Sequence, residues 1–429
     1  MSRQVQRYLD QIREEFIGVD DGKLADYIPE LARVDPTAFG LSLSSGDGFV
    51  YESGDAAVEF TIQSISKPFT YALALDRCGP KAVDAKIGVE PSGEAFNEIS
   101  VDRSTKRPKN PMINAGAIAA VSLVPASSPD ERFALIQDYY SAFAGRHLEV
   151  DAEVYASEKA TGDRNRAIAY MLASFGVLDD PDDVLDVYFR QCSLKVSATD
   201  LARMAATLAR NGVNPLTGRR VTDAAVVRRT LSVMVTCGMY DAAGDWVSAV
   251  GMPAKSGVGG GILAVLPGQL GIGTYSPLLD AKGNSVRSVL LCRRLSEELG
   301  LHFLTVSRDA RATLRAVYEP HDNIRVYEAH GDLLFCGAEQ VVRTVDRGCE
   351  DFVVGILDVS RADDVDDAAK ALLSGMSTAL HERGKAGFIV DPDRLVIGEG
   401  SEFESVRYPT VEDAVDAAET FVRAQLSGG

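Results

Sequence analysis

Residues 60–75 read FTIQSISKPFTYALAL, and the reading of Ser64 and Lys67 at the head of that apolar run decides the fold. Leu73, Ala74 and Leu75 carry the hydrophobic signal, so the segment is expected to be a buried helix. Ser64, Ser66 and Lys67 stand at its N-terminal end, followed by Pro68. A helix puts positions three apart on one face, so Ser64 and Lys67 are expected to point the same way. Proline is tolerated in a first turn, which places Ser64 at the start of the helix. A Ser beside an amine at a helix N-terminus offers a nucleophile, a base and a dipole that favours developing negative charge. The same two residues also make an ordinary N-cap and a solvated first-turn lysine. An S-x-x-K match arises by chance about once or twice in a chain of this length, so the pair takes its meaning from what surrounds it.

A chain of 429 residues suffices for two or three domains with a sizeable core. With 46% hydrophobic and 25% charged residues it has the profile of a soluble globular protein, and no apolar run reaches membrane-spanning length. The opening MSRQVQRYLDQIREEF is charged and helix-like rather than a signal peptide, so a cytoplasmic location is expected. Cysteines at 78, 192, 237, 292, 336 and 349 form no C-x-x-C pair and read as reduced thiols. Histidines at 147, 302, 321, 330 and 381 lack close ligand spacing, so neither a metal nor an organic cofactor is indicated. A net charge of −18 argues against nucleic acid or an anionic membrane as partner. From Ala312 onward stand 11 Lys and Arg against 23 Asp and Glu, so two thirds of the net charge lies in the last quarter or so of the chain. That asymmetry marks a separate module.

Residues 38–60 hold short strand-like pieces parted by Ser-Gly-Asp turns, and 64–250 is dominated by helical periodicity. Helices are expected at 130–145, with apolar positions 133, 136, 140 and 143, and at 197–212 and 222–238, which stop at Gly212 and Gly238; the one at 197–212 opens with a Ser-x-x-Asp cap. GGGILAVLPGQLGIGTYSP (259–277) reads as a hairpin turning at Pro267-Gly268, followed by a helix at 285–301. Early strands, a helical block and late strands imply an α+β fold in which both ends pair in one mainly antiparallel sheet, with the helices as an inserted domain. Beyond about 310 the pattern alternates: strands in NIRVYEAHGDLLF, DFVVGILDVS and AGFIVDPDRLVIG, helices in AEQVVRTVDR, VDDAAKALLSGMSTALHERG and TVEDAVDAAETFVRAQL. This is the order of a small α/β domain, giving an expected division into 1–310 and 311–429.

Five polar clusters fall at element ends, where site residues collect. They are NPMINAGAI (110–118) with Asn114, SEKATGDRN (157–165) with Glu158 and Asn165, YFRQCSL (188–194) with Tyr188, CGMYDAAGDW (237–246) with Tyr240, and PAKSGVGGGI (253–262). Taken singly each has a structural reading: a turn asparagine, a capping carboxylate, core tyrosines, hairpin glycines. A phosphate loop is excluded at the last, because no G-K-[ST] follows and the segment leads into a strand.

Together with Ser64-x-x-Lys67, EPSGEAFN, NPMINAGAI, SEKATGDRN, CGMYD and PAKSGVGGGI stand in the order of the serine-dependent glutaminases, which the chain resembles from about GKLADYIPELA (23–33) to PLLDAKGNSV (277–286). The resemblance implies a β-lactamase/transpeptidase-like fold and hydrolysis of L-glutamine to glutamate and ammonia. It implies attack by Ser64 on the side-chain amide, Lys67 as the activating base, and a γ-glutamyl ester cleaved by water. Burial and nearby positive charge would lower the lysine's pKa. Tyr240, then Tyr188, are the candidates to relay a proton to departing ammonia. The backbone N–H groups of Ser64 and Val258 fit the oxyanion site, glycines around Val258 letting bare backbone approach the substrate. Glu158 would meet the substrate ammonium, Asn114, Asn165 and Tyr188 its other polar groups, and Tyr27 in ADYIP would close over the site. A homodimer or homotetramer is implied, with no nucleic acid and no membrane.

A penicillin-recognising serine enzyme shares S-x-x-K and a later K-S-G at Lys255, but the chain has no S-D-N, and G-x-S-x-G is also absent. Residues 311–429 resemble a STAS domain through their strand–helix order and VVGILDVSRADDVDDAAKALL (353–373). Where phosphorylated relatives carry Ser or Thr, this chain has Asp366, Asp367 and Ala368, which a kinase cannot switch. A passive packing role and recognition of a regulatory partner by this module both remain open.

Overall fold

The structure is a computed structural model that describes residues 3–92, 101–102, 104–305, 314–401 and 403–427. The last five residues of EPSGEAFN, and residues 306–313 around the expected division at 310, lie outside the described residues. The chain divides into two compact units, Ile12–Glu297 with Leu301–Ser307, and Met1–Gln11 with Glu298–Gly300 and Arg308–Gly429. The first eleven residues thus group with the C-terminal unit.

The strands of the larger unit are β1 (Gly40–Ser45), β2 (Val50–Gly54), the short β3 (Phe60–Thr61) and β4 (Lys195–Val196), then β5 (Ala254–Ser256), β6 (Gly261–Leu266) and β7 (Leu270–Tyr275). Five of them form one antiparallel sheet in the order β2-β1-β7-β6-β5, while β3 and β4 pair separately. β1 lies directly on β7, Gly40 opposite Tyr275 and Ser45 opposite Leu270, so the early and late strands close one sheet around the helical block. Every residue of β1, β6 and β7 is buried, as strands covered on both faces require.

The Ala198–Ala209 helix covers one face, and small residues set its distance. A Cβ built on Gly273 of β7 would stand 2.0 Å from the Ala198 carbonyl oxygen, so the helix backbone rests on the strand. The helix opens with a complete capping box: Ser197 accepts from the Asp200 N–H, and the Asp200 carboxylate accepts from the Ser197 N–H. Arg146 pairs with Asp200 at 2.6 Å and fixes the same end. The expected stop at Gly238 holds, as cap of the Ala224–Cys237 helix, whereas the helix expected to run to Gly212 ends at Ala209 with Arg210 as its cap; Gly145 (φ 74°) caps Pro129–Ala144.

The smaller unit carries β8 (Leu314–His321), β9 (Ile324–Leu333), β10 (Val354–Val365), β11 (Ala386–Val390) and β12 (Arg407–Tyr408) in the order β12-β11-β10-β9-β8. β9 to β12 run parallel, and β8 turns back against β9 at Asn323 (φ 68°). Alternation along β9 and β10 serves both faces. Tyr327 and Leu357 meet the Phe335–Arg347 and Asp367–His381 helices, and Val326 and Ile356 meet Ala414 and Ala418 of Val411–Ser427. β8 was not expected from the sequence. It is a largely exposed edge strand with Arg315, Glu319 and Pro320 among its eight residues, so it has no apolar face to show as a pattern. AGFIVDPDRLVIG is a strand only as far as Val390; Asp391, fully buried, then accepts the N–H groups of Leu395, Val396 and Ile397. All six cysteines are unpaired, and no described helix is long and apolar enough to cross a membrane.

The Gly273 contact gives a direct test of the packing. Gly273→Ala forces the Ala198–Ala209 helix off the sheet and is expected to cost about 3 kcal/mol, read as a lowered denaturation midpoint. An unchanged midpoint would mean that the helix does not lie against β7.

Candidate active site

Ser64 lies one turn earlier than a helical start would put it. Residues Gln63–Ser66 form a short 3-10 turn, and the α-helix runs from Lys67 to Lys86 with Pro68 in its first turn. The turn is tied on several sides: the Ile62 N–H donates to the Leu194 carbonyl at 2.8 Å, the Ser66 hydroxyl to the Gln63 carbonyl at 2.6 Å, and the Tyr140 hydroxyl to the Ser66 carbonyl at 2.7 Å. Lys67 to Leu75 are all buried, so this half of the helix is apolar or internally satisfied on every side.

Ser64 opens onto a cavity of about 310 Å³. Tyr27, Asn114, Glu158, Asn165, Tyr188 and Val258 line the same cavity, joined by Gln63, Arg164 and Cys192. Lys67 sits behind its wall, fully buried, and its Nζ donates to Asn114 Oδ1 at 2.7 Å. Asn114 Nδ2 in turn donates to Asn165 Oδ1 at 2.9 Å. This chain of amides fixes how Asn114 faces the lysine and takes up one ammonium hydrogen without supplying a negative charge. Burial therefore dominates, and it lowers the Lys67 pKa from 10.5 to about 8.

Glu158, on the Ala152–Thr161 helix, is the buried carboxylate of the cavity. Its Oε1 accepts from the Tyr27 hydroxyl at 2.8 Å and from Gln63 Nε2 at 3.1 Å, while its Oε2 accepts from none of the described residues. Burial raises its pKa, and the bonds from Tyr27 and Gln63 oppose that rise. Tyr27 is half-exposed, with its hydroxyl in the cavity. Tyr188 is buried on the Pro181–Cys192 helix, and burial raises its phenol well above the ordinary range.

Tyr240 enters from the far side, in a 3-10 turn and with a left-handed backbone (φ 56°). Its hydroxyl is 3.2 Å from the Ser256 carbonyl and hydrogen-bonds with Ser64; burial raises its pKa to about 12. Cys192 is a poor rival nucleophile, since burial pushes its thiol to about 12. Val258 reaches the cavity because the loop after β5 lies on the Ser64 turn. A Cβ on Gly259 would stand 2.7 Å from the Thr61 carbonyl, so close approach of two chain segments explains that glycine.

A glutaminase family model matches residues 22–304. The chain is 49% identical to glutaminase 2 of Bradyrhizobium diazoefficiens over 88% of its own length, and spans 64% of that longer relative. It is 44% identical to the glutaminase of Corynebacterium efficiens, covering 91% of this chain and 93% of the other. The crystal structure of Mglu superposes with a TM-score of 0.69 at 44% identity, over 91% of this chain and 99% of that one. The chain belongs to the glutaminase family. Its larger unit accordingly has the β-lactamase-like fold.

Gln63 is absent from the site residues expected from the sequence, and Lys255 entered only as the lysine of K-S-G. Lys255 is fully buried on β5, its Nζ donating to the Ser256 carbonyl at 2.7 Å and lying 3.9 Å from the centre of the Tyr240 ring. Burial first, and the Lys67 charge second, hold its pKa well below the ordinary value. The signal was a lysine between small residues in a strand buried on both faces. Gln63 left no signal, because its part depends on a backbone angle. A larger groove of about 850 Å³ around Asp76, Tyr139 and Arg220 holds none of the expected site residues, and the described residues contain no His/Cys/Asp/Glu cluster able to hold a metal.

Gly259→Ala should push the Val258 loop off β3, whose Thr61 carbonyl it abuts, and reduce turnover at least about ten-fold, measured beside circular dichroism to show an intact fold. Full activity in this variant would separate the loop from the site.

Proposed function

We propose that this chain hydrolyses L-glutamine to L-glutamate and ammonia through a γ-glutamyl ester on Ser64. The observation that carries the reading is the desolvated Lys67 amine, neutral above a pKa of about 8 and one turn from a serine at the cavity wall. Neutral Lys67 takes the Ser64 hydroxyl proton as Oγ bonds to the amide carbon. The oxyanion is received by the N–H groups of Ser64 and Val258, each such donor being worth about 3–4 kcal/mol. Tyr240, kept protonated by its raised pKa and bonded to Ser64, gives its proton to the leaving nitrogen and regains one from the Lys67 ammonium. Tyr188 is the alternative donor. Ammonia departs, and water then attacks the ester, returning the serine hydroxyl and releasing glutamate.

At the other end of the substrate, Glu158 Oε2 takes the α-ammonium, while Asn114, Asn165 and Tyr188 hold the remaining polar groups. Tyr27 closes the cavity from its half-exposed position. Support comes from Mglu, which has also been crystallised in a glutamate form and is 40% identical with a TM-score of 0.69. A cytoplasmic homodimer or homotetramer without nucleic acid or membrane partners is proposed with it. For 311–429 we propose a STAS-like module in a constitutive role. The Asp366 carboxylate accepts the Ala369 N–H at 2.7 Å and the Phe335 N–H at 3.2 Å, so at this position a fixed charge joins two helix starts where a switch would need a hydroxyl.

Ammonia release from L-glutamine should fall by about 10⁴-fold or more in Ser64→Ala and Lys67→Ala, with both variants folded. A Ser64→Ala enzyme that keeps its rate removes the nucleophile assignment. Because only the neutral amine accepts a proton, kcat/KM should rise with pH and level off above about 8. A profile that is flat through that range, or falls, assigns the base to another group.

A further inference from the structure

Gln63, immediately before Ser64, has a backbone that its residue type does not favour. Its φ is 48°, in the left-handed region that glycine occupies without strain and glutamine does not. A chain needing only the turn would be served better by glycine, so the side chain is the reason for the choice. That side chain is buried, and its whole amide is engaged. Nε2 donates to Glu158 Oε1 at 3.1 Å and to Thr61 Oγ1 at 3.3 Å, and Oε1 accepts from the Tyr27 hydroxyl at 3.4 Å. The Gln63 carbonyl accepts from the Ser66 hydroxyl at 2.6 Å and closes the turn that presents Ser64. One residue therefore holds the ammonium-binding carboxylate with its side chain and the nucleophile turn with its backbone.

Resting on the proposed glutamine hydrolysis, we propose that Gln63 is a positioning residue that couples occupancy of Glu158 by the substrate α-ammonium to the aim of Ser64 and its N–H. An ammonium on Glu158 Oε2 steadies the carboxylate, the carboxylate steadies the Gln63 amide, and that amide holds the strained backbone at the orientation the oxyanion needs. The binding energy of the amino end is thereby expressed in the rate of the chemical step. Glutaramate, which is glutamine without the α-amino group, keeps the reacting amide but leaves Glu158 without its cation, so it should suffer in kcat as well as in KM.

The test compares kcat and KM for L-glutamine and glutaramate in wild type, Gln63→Gly and Gln63→Met. Glycine accepts the backbone and deletes the amide; methionine keeps the length and deletes the hydrogen bonds, so one variant serves if the other does not fold. The expected result is a kcat for glutamine reduced at least about ten-fold with KM within about three-fold, and a glutamine-to-glutaramate kcat ratio that collapses toward one in both variants. A wild-type kcat ratio retained in the folded variants, or an effect confined to KM, overturns the coupling. Wild type that releases no ammonia from glutamine overturns the underlying reading instead, and the two failures are told apart by that control.

Discussion

The structure depends on keeping one lysine amine dry. Lys67 is fully buried, and its Nζ donates to the amide oxygen of Asn114. An acidic partner would hold the ammonium charged and useless as a base; an amide satisfies one hydrogen of the amine and leaves burial to set the protonation state. The Asn114–Asn165 bond keeps that amide from turning its nitrogen toward the lysine. A second buried amine, Lys255, stands on the other side of Tyr240, so the polar centre holds two amines and a phenol that are all pushed toward neutrality.

The fold supplies the burial. Pairing β1 with β7 across more than two hundred residues of sequence brings the late strand edge to the turn that follows β3. Gly273 lets a helix backbone rest on the sheet, and Gly259 lets the Val258 loop rest on β3, just before the Ser64 turn. Tyr27 and Arg164, both exposed, line the outer end of the cavity. Left-handed backbone at this site stands at Gln63 (φ 48°) and Tyr240 (φ 56°).

Most of this was legible because it rests on short-range chemistry. Capping patterns and terminal glycines placed the Ala198–Ala209 and Ala224–Cys237 helices within a few residues, and the strand–helices–strand order gave the single antiparallel sheet. Seven of the nine expected site residues line one cavity, with Lys67 and Tyr240 bonded to it through Asn114 and Ser64. What escaped depends on tertiary context. β8 is a largely exposed edge strand, the burial of Lys255 depends on which strand is covered on both sides, and Gln63 stands out only by a dihedral angle.

The account turns on the protonation state of one amine, and the most direct measurement is to titrate it. Carbon-13 NMR of enzyme labelled at the lysine Cε, with the Lys67 signal assigned by its loss in Lys67→Met, would follow that single side chain with pH. The account predicts a midpoint near 8, because burial opposes the ammonium. A midpoint at the ordinary 10.5 would show Lys67 charged throughout the working range and would contradict its role as the base.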